Sequence, residues 1–465
     1  MLFQQLLAVY KLVKTKLTVI SLTINDTALL FLTLFIGTIV AINPRTVDEN
    51  RPVRALLNNP NFLCIWLVGG VTGVIRWFQL LAFGVYSFEI TGSPLLVSAI
   101  PILWMLPLIL FGPFIGVFAD QISRKLLLGG SIFLITSLQI IMSLAAFSGD
   151  LSYFLLALAS FVSGIFWATD MPIRRRLLGD LAGQNVSKAM GLDSATGNAT
   201  RMLGPLLGGG MLQVVGMFGI FWLSGILYAL CFILVLLATL PGKATEPIAP
   251  SFFRDFSSGI HFVMRDKILK RILIITIIFN IWGFPFTSMI PIIGRDELGL
   301  SPFFVGILSS MEGFGALIGA LLITRFADKE NFFQIYLGGT IVYLSGVGYL
   351  SILTFVAGGP IHSFYASTVA LTIIGIAGSC FAAMQGTLTY LAAPAQYRSR
   401  VLGVLTLCIG TGPIGFFNVG WMAESFGVAN ALIIICFEGL LALLILWVWG
   451  ENINMKKELE NRISG

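Results

Sequence analysis

The feature that most constrains this chain is a series of apolar runs, each as long as one helical crossing of a bilayer, about 20 residues. In lipid, a helix is favoured because it satisfies its backbone hydrogen bonds within its own segment. The composition agrees, since 57% of the residues are hydrophobic and only 11% are charged, whereas soluble domains carry about 25% charged residues. The sequence therefore predicts an all-α polytopic membrane protein.

The apolar runs form two sets of six. The predicted crossings are 62–88, 95–119, 126–147, 151–172, 188–213 and 218–240 in the first set, and 271–293, 303–326, 332–357, 363–392, 400–424 and 428–450 in the second. A polar segment of mixed charge, 241–270, separates a first six-helix bundle over 61–240 from a second one over 271–450. Residues 451–465 are predicted to form a cytoplasmic tail.

The first sixty residues are harder to interpret. Residues 1–60 hold one short apolar run, 27–42, preceded by Lys11, Lys14 and Lys16. This run is short for a crossing, and a crossing would export three lysines against the positive-inside rule. We interpret 1–60 as an N-terminal extension with an interfacial helix; an extra crossing and an over-long translational start remain open.

The distribution of charge predicts the orientation. Apart from Arg76, Arg201 and Arg295, every Lys and Arg from Arg54 onward falls on one predicted side of the membrane. Positive loops stay in the cytoplasm, so both ends of the core are predicted to be cytoplasmic and the protein to lie in the inner (plasma) membrane. The net charge of +6 is explained by this bias, and it does not indicate a nucleic-acid partner.

Several classes of chemistry are not supported. The five cysteines all lie inside apolar runs without a Cys-x-x-Cys, so neither a metal site nor a disulfide is predicted. No phosphate-binding loop of the Gly-x-x-x-x-Gly-Lys-Ser/Thr type occurs. We therefore predict no cofactor, no catalytic residues and no enzyme activity. Any transport must draw its energy from a gradient.

The connection between the second and third crossings carries the strongest motif: Gly112, Gly116, Asp120, Arg124 and Lys125. Glycines four residues apart let another helix approach closely. An aspartate at a helix exit can pair with an arginine four residues on. The motif predicts a structural or gating contact at the membrane surface.

This loop resembles the signature of the major facilitator superfamily, roughly G-x-x-x-D-R-x-G-R-R/K, although Gln121 and Ser123 replace an Arg and a Gly. The resemblance implies twelve core helices in two six-helix halves around a central cavity. It also implies that Asp120 packs near residues 400–403 and latches the cytoplasmic gate.

A second motif lies in the fifth crossing: Arg201, Gly204, Pro205, Gly208 and Gly209. It resembles the Gly-Pro-x-x-Gly-Gly motif of antiporter branches of the superfamily. The resemblance implies that this segment seals the cavity on the cytoplasmic side and goes with export. Ordinary close packing of a membrane helix remains an alternative.

Longer strings resemble one exporter branch, the macrolide-efflux and enterobactin-exporter-like proteins. They are residues 91–94, 170–176, 198–205 and 394–403. Relatives in this branch handle chemically different cargo, so the resemblance names no substrate.

Charged side chains inside the crossings are functional candidates, because they are costly in hydrocarbon. We predict Glu312, Asp170 and Arg76 as candidates for proton coupling, with Glu312 near Arg76 or Arg201. Structural polar contacts remain an alternative for Glu312 and Asp170, and Glu438 is predicted to be a packing or interfacial residue.

Aromatic and amide residues on the core crossings predict the lining of a cavity: Trp77, Phe78, Gln79, Asn198, Asn280, Trp282, Phe284, Gln385, Phe416 and Asn418. Such a lining suits a largely apolar molecule with a few hydrogen-bonding groups. The positive charges of Arg76 and Arg201 would allow this molecule to carry an anionic group.

Together these features favour a secondary active transporter. We expect a proton-coupled exporter of amphipathic small molecules of the drug, antibiotic or siderophore type, working by alternating access as a monomer among membrane lipids. The alternatives are a lipid or lysophospholipid flippase, an importer on the same fold, or a receptor or scaffold that does not transport.

Overall fold

The computed structural model describes residues 52–240, 252–328, 330–356 and 360–448. Within these ranges the side chains of residues 52, 112–121, 252–256, 354–356, 360–361, 395 and 399 are not described. The chain divides into two units, Met1–Leu63 and Cys64–Gly465. Most of the predicted N-terminal extension, the start of the predicted linker and the predicted tail lie outside the described residues.

The described residues form helices connected by short loops, and no strand occurs among them. The main helices are α1 Pro60–Thr91, α2 Pro94–Gln121, α3 Arg124–Ser148, α4 Tyr153–Ala182, α5 Val186–Leu237, α6 Phe252–Arg265, α7 Lys267–Ile278, α8 Pro302–Phe326, α9 Phe332–Val356, α10 Pro360–Ala392, α11 Arg398–Ile409, α12 Gly412–Phe426 and α13 Val428–Val448. Ten candidate membrane spans are found in the described residues. The prediction of an all-α polytopic membrane protein is confirmed.

The ten spans are consistent with the twelve predicted crossings. The longest span, Tyr153–Leu237, contains both α4 and α5. Helix α5 is itself interrupted at Gly216, which has φ 69° and ψ −164°. Such a left-handed φ favours glycine, which has no Cβ to clash with the backbone. Gly216 therefore separates the predicted fifth and sixth crossings.

The helix ends follow local sequence signals. Helix α3 ends at Gly149, whose φ of 83° suits a glycine, and its N–H bonds the carbonyl of Ala145. Helix α4 then begins after Ser152, whose hydroxyl accepts from the N–H of Leu155. Asp266 caps α7 by accepting from the N–H groups of Ile268 and Leu269, both at 3.0 Å. The crossings predicted to start at 126, 151 and 271 begin within four residues of these positions, whereas α4 extends ten residues beyond its predicted end at 172.

The seventh crossing is less regular than predicted. Beyond α7 the chain continues through π-helical turns at Phe279–Gly283 and Ile293–Glu297, with a 3₁₀ segment at Phe284–Met289 between them. Pro285 and Pro291 lack the N–H that a regular helix needs, so the hydrogen-bond ladder changes there. Irregular backbone is tolerated at membrane depth when protein covers it. In this span, 67% of an apolar stretch of 18 residues is buried.

Helices approach most closely where glycines face carbonyl groups. A Cβ on Gly315 of α8 would overlap the carbonyl of Thr372, and one on Gly375 of α10 would overlap the carbonyl of Glu312. Likewise Gly164 of α4 lies against the carbonyl of Trp104 on α2. Small residues of this kind let membrane helices pack backbone to backbone. They hold α8 against α10 and α4 against α2, the helices that frame the candidate site.

Candidate functional site

A cavity of about 610 Å³ lies among α1, α2, α4, α5, α8 and α10. This volume falls within the range of small-molecule sites, about 300–1,000 Å³. Its walls combine large aromatic side chains with charged groups. The aromatic members are Trp77, Phe83, Trp104, Phe166, Trp167 and Tyr228; the charged members are Arg76, Asp170, Arg174, Arg175, Asp193 and Arg201.

Arg76 lies in the aromatic part of this wall. Its guanidinium carbon is 5.3 Å from the ring centroid of Trp77, and 5.9 Å from those of Trp104 and Trp167. Trp104 and Trp167 stack on each other, with centroids 4.2 Å apart. The Nε of Arg76 is buried and has no hydrogen-bond partner among the described residues. Tryptophan faces stabilise the positive charge, but they leave the N–H donors without acceptors.

A cluster of charges lies at one end of the cavity. Arg174 Nη1 is 2.5 Å from Asp193 Oδ1, and its Nε is 3.3 Å from Asp170 Oδ2. Arg175 contacts the other oxygen of Asp193 at 3.3 Å. Gly69 of α1 makes the arrangement possible, because a Cβ there would overlap the guanidinium of Arg174. We call this end, where α4 carries residues 174–176, the basic end.

An ion pair outside this cluster joins the two predicted halves. Arg201 on α5 donates through Nη2 to Glu312 Oε1 on α8 at 2.5 Å. The Glu312 side chain is 5% exposed. Gly313 lets the two helices meet here, since its Cβ would lie 2.7 Å from the backbone of Arg201. The sequence prediction placed Glu312 near Arg76 or Arg201, and the structure places it against Arg201.

A smaller cavity of about 110 Å³ lies on the other side of Trp77 and Arg201. Glu312, Phe284 and Phe416 line it. Arg201 also lies over Trp77 and Phe284, at 5.3 and 5.8 Å from their centroids. Trp77 and Arg201 line both cavities and therefore separate them.

Three of the predicted lining residues, Trp77, Gln79 and Asn198, line the larger cavity. Gln79 is held by neighbours within its own half, because its amide nitrogen donates to Gln139 Oε1 and Ser224 Oγ, both at 2.8 Å. It is therefore less available to a bound molecule than its position suggests.

Four others, Asn280, Trp282, Gln385 and Asn418, line neither cavity. Trp282 instead donates through Nε1 to Glu438 at 2.8 Å, and Gln385 donates to Thr276 at 3.2 Å. Asn280 and Trp282 lie on the π-helical turn at residues 279–283. None of these four side chains lines either cavity, and their role in binding stays a prediction.

The signature loop is described only in part. The surroundings of Gly112 and Gly116 and the side chain of Asp120 are not described, so the predicted Asp120 latch stays a prediction. Arg124 forms an ion pair with Asp180 at the end of α4. Lys125 donates to the carbonyls of residues 236 and 238 at the end of α5, both at 2.7 Å. These two cations therefore hold together helices of the first half.

The glycine motif of α5 packs against two helices. Cβ atoms on Gly204 and Gly208 would overlap residues 77–78 of α1. One on Gly209 would overlap the carbonyl of Pro302 and lie 2.9 Å from Gly306 Cα on α8. The motif thus brings α5 into backbone contact with both halves.

These contacts lie at the end of the molecule opposite the basic end. Gly209 is 16 residues beyond Asp193 along α5, which is about 24 Å at 1.5 Å per residue. The basic end was predicted to be cytoplasmic. The glycines of the motif lie away from that end, so the expectation that the motif seals the cavity on the cytoplasmic side stays a prediction.

Polar pairs join the halves at this opposite end. Arg295 Nη2 lies 2.7 Å from Glu89 Oε1. Ser93 donates to Glu424 on α12 at 2.7 Å, and Ser301 donates to Gln213 on α5 at 2.8 Å. At the basic end, by contrast, the cavity lining includes the exposed residues Ser194 and Thr324. The cavity is therefore closed opposite the basic end and reaches exposed side chains at the basic end.

Sequence reasoning did not single out Trp104, Trp167 or Asp193 as site residues. One signal for them was the unpaired cation at Arg76, because an arginine inside a crossing needs aromatic faces or carboxylates around it. The sequence alone does not say which of the many tryptophans and aspartates supply them.

Comparison with known proteins agrees with this architecture. The family model described as transmembrane secretion effector matches residues 53–461. Macrolide efflux protein A of Streptococcus pyogenes is 22% identical over 371 residues, which covers 79% of this chain and 90% of that protein. The staphyloferrin A transporter of Staphylococcus aureus is also 22% identical, covering 77% of this chain and 88% of that one.

Solved structures show the same fold at low identity. A D-xylose–proton symporter aligns with a TM-score of 0.65 and 13% identity, covering 84% of this chain and 99% of that one. A bacterial homologue of the human lysosomal transporter Spinster aligns with a TM-score of 0.64 and 15% identity, covering 87% and 98%. The chain therefore belongs to the transmembrane secretion effector family of the major facilitator superfamily, and it is a multi-pass membrane transporter rather than an enzyme.

Proposed function

We propose that this protein is a proton-coupled exporter that moves amphipathic small organic molecules across the plasma membrane by alternating access. The cavity supports this cargo class, because it combines large aromatic surfaces with a few charged groups. Among the relatives, one is named a macrolide efflux protein, one a staphyloferrin A transporter and one a multidrug efflux pump. These names favour export over import or lipid flipping.

The ion pair between Arg201 and Glu312 carries the proposal. It joins α5 to α8 across the two halves, which must separate when the opposite end opens. A buried carboxylate beside an arginine is stable when charged and paired, and it needs protonation once the pair is broken. Proton binding to Glu312 would thus release α8 from α5. Loss of that proton would let the pair form again.

The closed opposite end sets the direction of loading. With the basic end in the cytoplasm, as the charge distribution predicts, the cavity in this structure faces the cytoplasm. Cargo would enter between α5 and α8 near residues 194 and 324. It would leave after the pairs at the opposite end separate.

The test is uphill efflux from cells that express the protein, with and without a proton uncoupler. Glu312→Gln mimics the protonated carboxyl, so we expect loss of uphill efflux while cargo binding or downhill exchange persists. Glu438→Gln is the matched control, because Glu438 bonds Trp282 and lies outside both cavities.

Two results would count against the proposal. Uphill efflux by Glu312→Gln with normal pH dependence would move the coupling role to Asp170. Net accumulation of cargo inside the cells would identify an importer instead.

A further inference from the structure

We propose that Arg76, with Trp77, Trp104 and Trp167 around it, binds the carboxylate of an amphipathic, aromatic organic acid. This inference rests on the proposed function, since it specifies the cargo of the same cavity. It assigns a chemical class to the substrate and a distinct role to one arginine.

One of the arginines that line the cavity has no carboxylate partner in the described part of the chain. Four arginines line the larger cavity. Arg174 and Arg175 are paired with carboxylates of the cluster at the basic end, and Arg201 is paired with Glu312. Arg76 alone among these four has no ion pair in the part of the chain that the structure describes. The sequence analysis allowed either Arg76 or Arg201 to meet an anionic group of the cargo. Of these two, only Arg76 lacks an ion pair within the described structure.

The tryptophans around Arg76 stabilise its positive charge, but they provide no acceptors for its N–H groups. The three tryptophan centroids lie 5.3 to 5.9 Å from its guanidinium carbon. An aromatic face offers no lone pair in the plane of a guanidinium, and Nε is buried without an acceptor. A guanidinium presents its N–H groups as a planar fork that matches a carboxylate. The missing partner is therefore a planar oxyanion supplied from the cavity.

The neighbouring surface determines what carries that oxyanion. Trp104 and Trp167 stack at 4.2 Å and form a broad apolar wall beside Arg76. The cavity of about 610 Å³ is large enough for a multi-ring body. A flat aromatic body can lie along this wall while its carboxylate reaches Arg76. A cationic amphipath would be repelled by the positive charge of Arg76 at the same place.

The nearest competing explanation is that Arg76 serves as a counter-charge for Asp170. Asp170 lines the same cavity, and its Oδ1 also has no hydrogen-bond partner in the described structure. However, Asp170 already has Arg174 as an ion-pair partner at 3.3 Å. If Arg76 existed to neutralise Asp170, an added anion would gain nothing from Arg76. The two roles therefore predict different results in the wild type, where only a free Arg76 gives a preference for the anion.

Binding is tested with the purified full-length protein in detergent by isothermal titration calorimetry. The probe is 2-naphthylacetate, and its neutral counterpart is 2-naphthylacetamide. We expect the wild type to prefer the acid at least tenfold and Arg76→Gln to lose that preference. Arg76→Lys should keep only part of it, because an ammonium lacks the planar fork. The control Arg325→Gln makes the same charge change outside both cavities and should retain the preference.

Further binding measurements distinguish this inference from the competing explanations. An Arg76-dependent preference for the acid in the wild type, which Asp170→Asn strengthens, supports the assignment; a preference that is absent from the wild type and arises only in Asp170→Asn would favour the counter-charge role. Equal losses for the acid and the amide in Arg76→Gln would show a general loss of the cavity and overturn the assignment. Stronger Arg76-dependent binding of 2-naphthyl phosphate would assign the site to a phosphorylated or lipid headgroup instead.

This experiment needs no gradient. Acid-selective binding without uphill efflux would therefore refute the proposed export while leaving the binding site intact. Uphill efflux by a protein without acid selectivity would refute the binding site alone.

Discussion

Arg174 illustrates how single residues organise this molecule. In the sequence it is one of the cations that fall on one predicted side of the membrane, within the string 170–176. In the structure it enters the interior over Gly69 and lies between Asp170 and Asp193. Its neighbour Arg175 reaches the same Asp193 but remains 50% exposed. Two adjacent arginines therefore differ in environment, and their removal should have different costs.

At the residue scale, we predict that Arg174→Gln destabilises the protein far more than Arg175→Gln. Removing Arg174 leaves two buried carboxylates without their shared cation, and breaking a buried pair in this way costs about 3–5 kcal/mol. The half-exposed Arg175 contributes about 0–1 kcal/mol. Thermal unfolding of both variants in detergent measures the difference. Equal melting temperatures would show that Arg174 does not hold this end of the cavity together.

Helix α5 shows how the same residue type has two roles within one element. Gly209 lies against the backbone of α8, with Gly306 Cα 2.9 Å from where its Cβ would be. The next residue, Gly210, would place a Cβ 3.7 Å from the ring of Phe303, which is an ordinary contact. The motif read from the sequence includes Gly209, but it does not say which helix that glycine faces.

At the scale of the element, we predict that Gly209→Ala prevents closure of the opposite end and reduces transport at least tenfold. An added methyl group would force α5 and α8 apart, and overpacking of this kind costs about 1–3 kcal/mol. Gly210→Ala has room for its methyl group, and loss of a helical glycine is favourable by about 0.5–1 kcal/mol. Transport assays at matched expression compare the two. Equal activity would mean that the α5–α8 contact is dispensable.

At the scale of the whole molecule, the opposite end is closed by contacts of unequal strength. The Glu89–Arg295 pair is about one-third exposed on both sides, so its contribution is small. The glycine contacts of α5 with α8 and the buried Arg201–Glu312 pair lie deeper. The exposed pair is therefore suited to adjusting the balance between two states, while the buried contacts define those states.

We predict that Glu89→Gln shifts the population toward a state open at the opposite end by no more than about fivefold. An exposed ion pair contributes about 0.2–1 kcal/mol, and about 1 kcal/mol changes an equilibrium about fivefold. Spin labels at the exposed positions 90 and 296, on a background without native cysteines, report the change in distance. The exchange Glu89→Arg with Arg295→Glu should restore the original distribution. Failure of that rescue would show that the two side chains are not coupled.

Much of the architecture follows from the sequence. Apolar length predicts the crossings, since backbone groups in lipid must bond within a helix. The loop carrying Arg124 and Lys125 predicts the superfamily. The break at Gly216 appears where two predicted crossings meet. Each of these features depends on residues close together in the chain, so the sequence contains the whole signal.

The pairing inside the cavity was decided only by tertiary structure. Glu312 had two possible partners in the sequence, and the approach of α8 to α5 at Gly313 selects Arg201. Arg76 consequently remains among tryptophans from three helices. Asn280 and Trp282 line neither cavity, although the sequence predicted them as lining residues. Hydrophobic length is a local property that the chain determines by itself. Ion pairs and cavities depend on how distant helices rotate against one another, and that rotation is settled only when all of them pack.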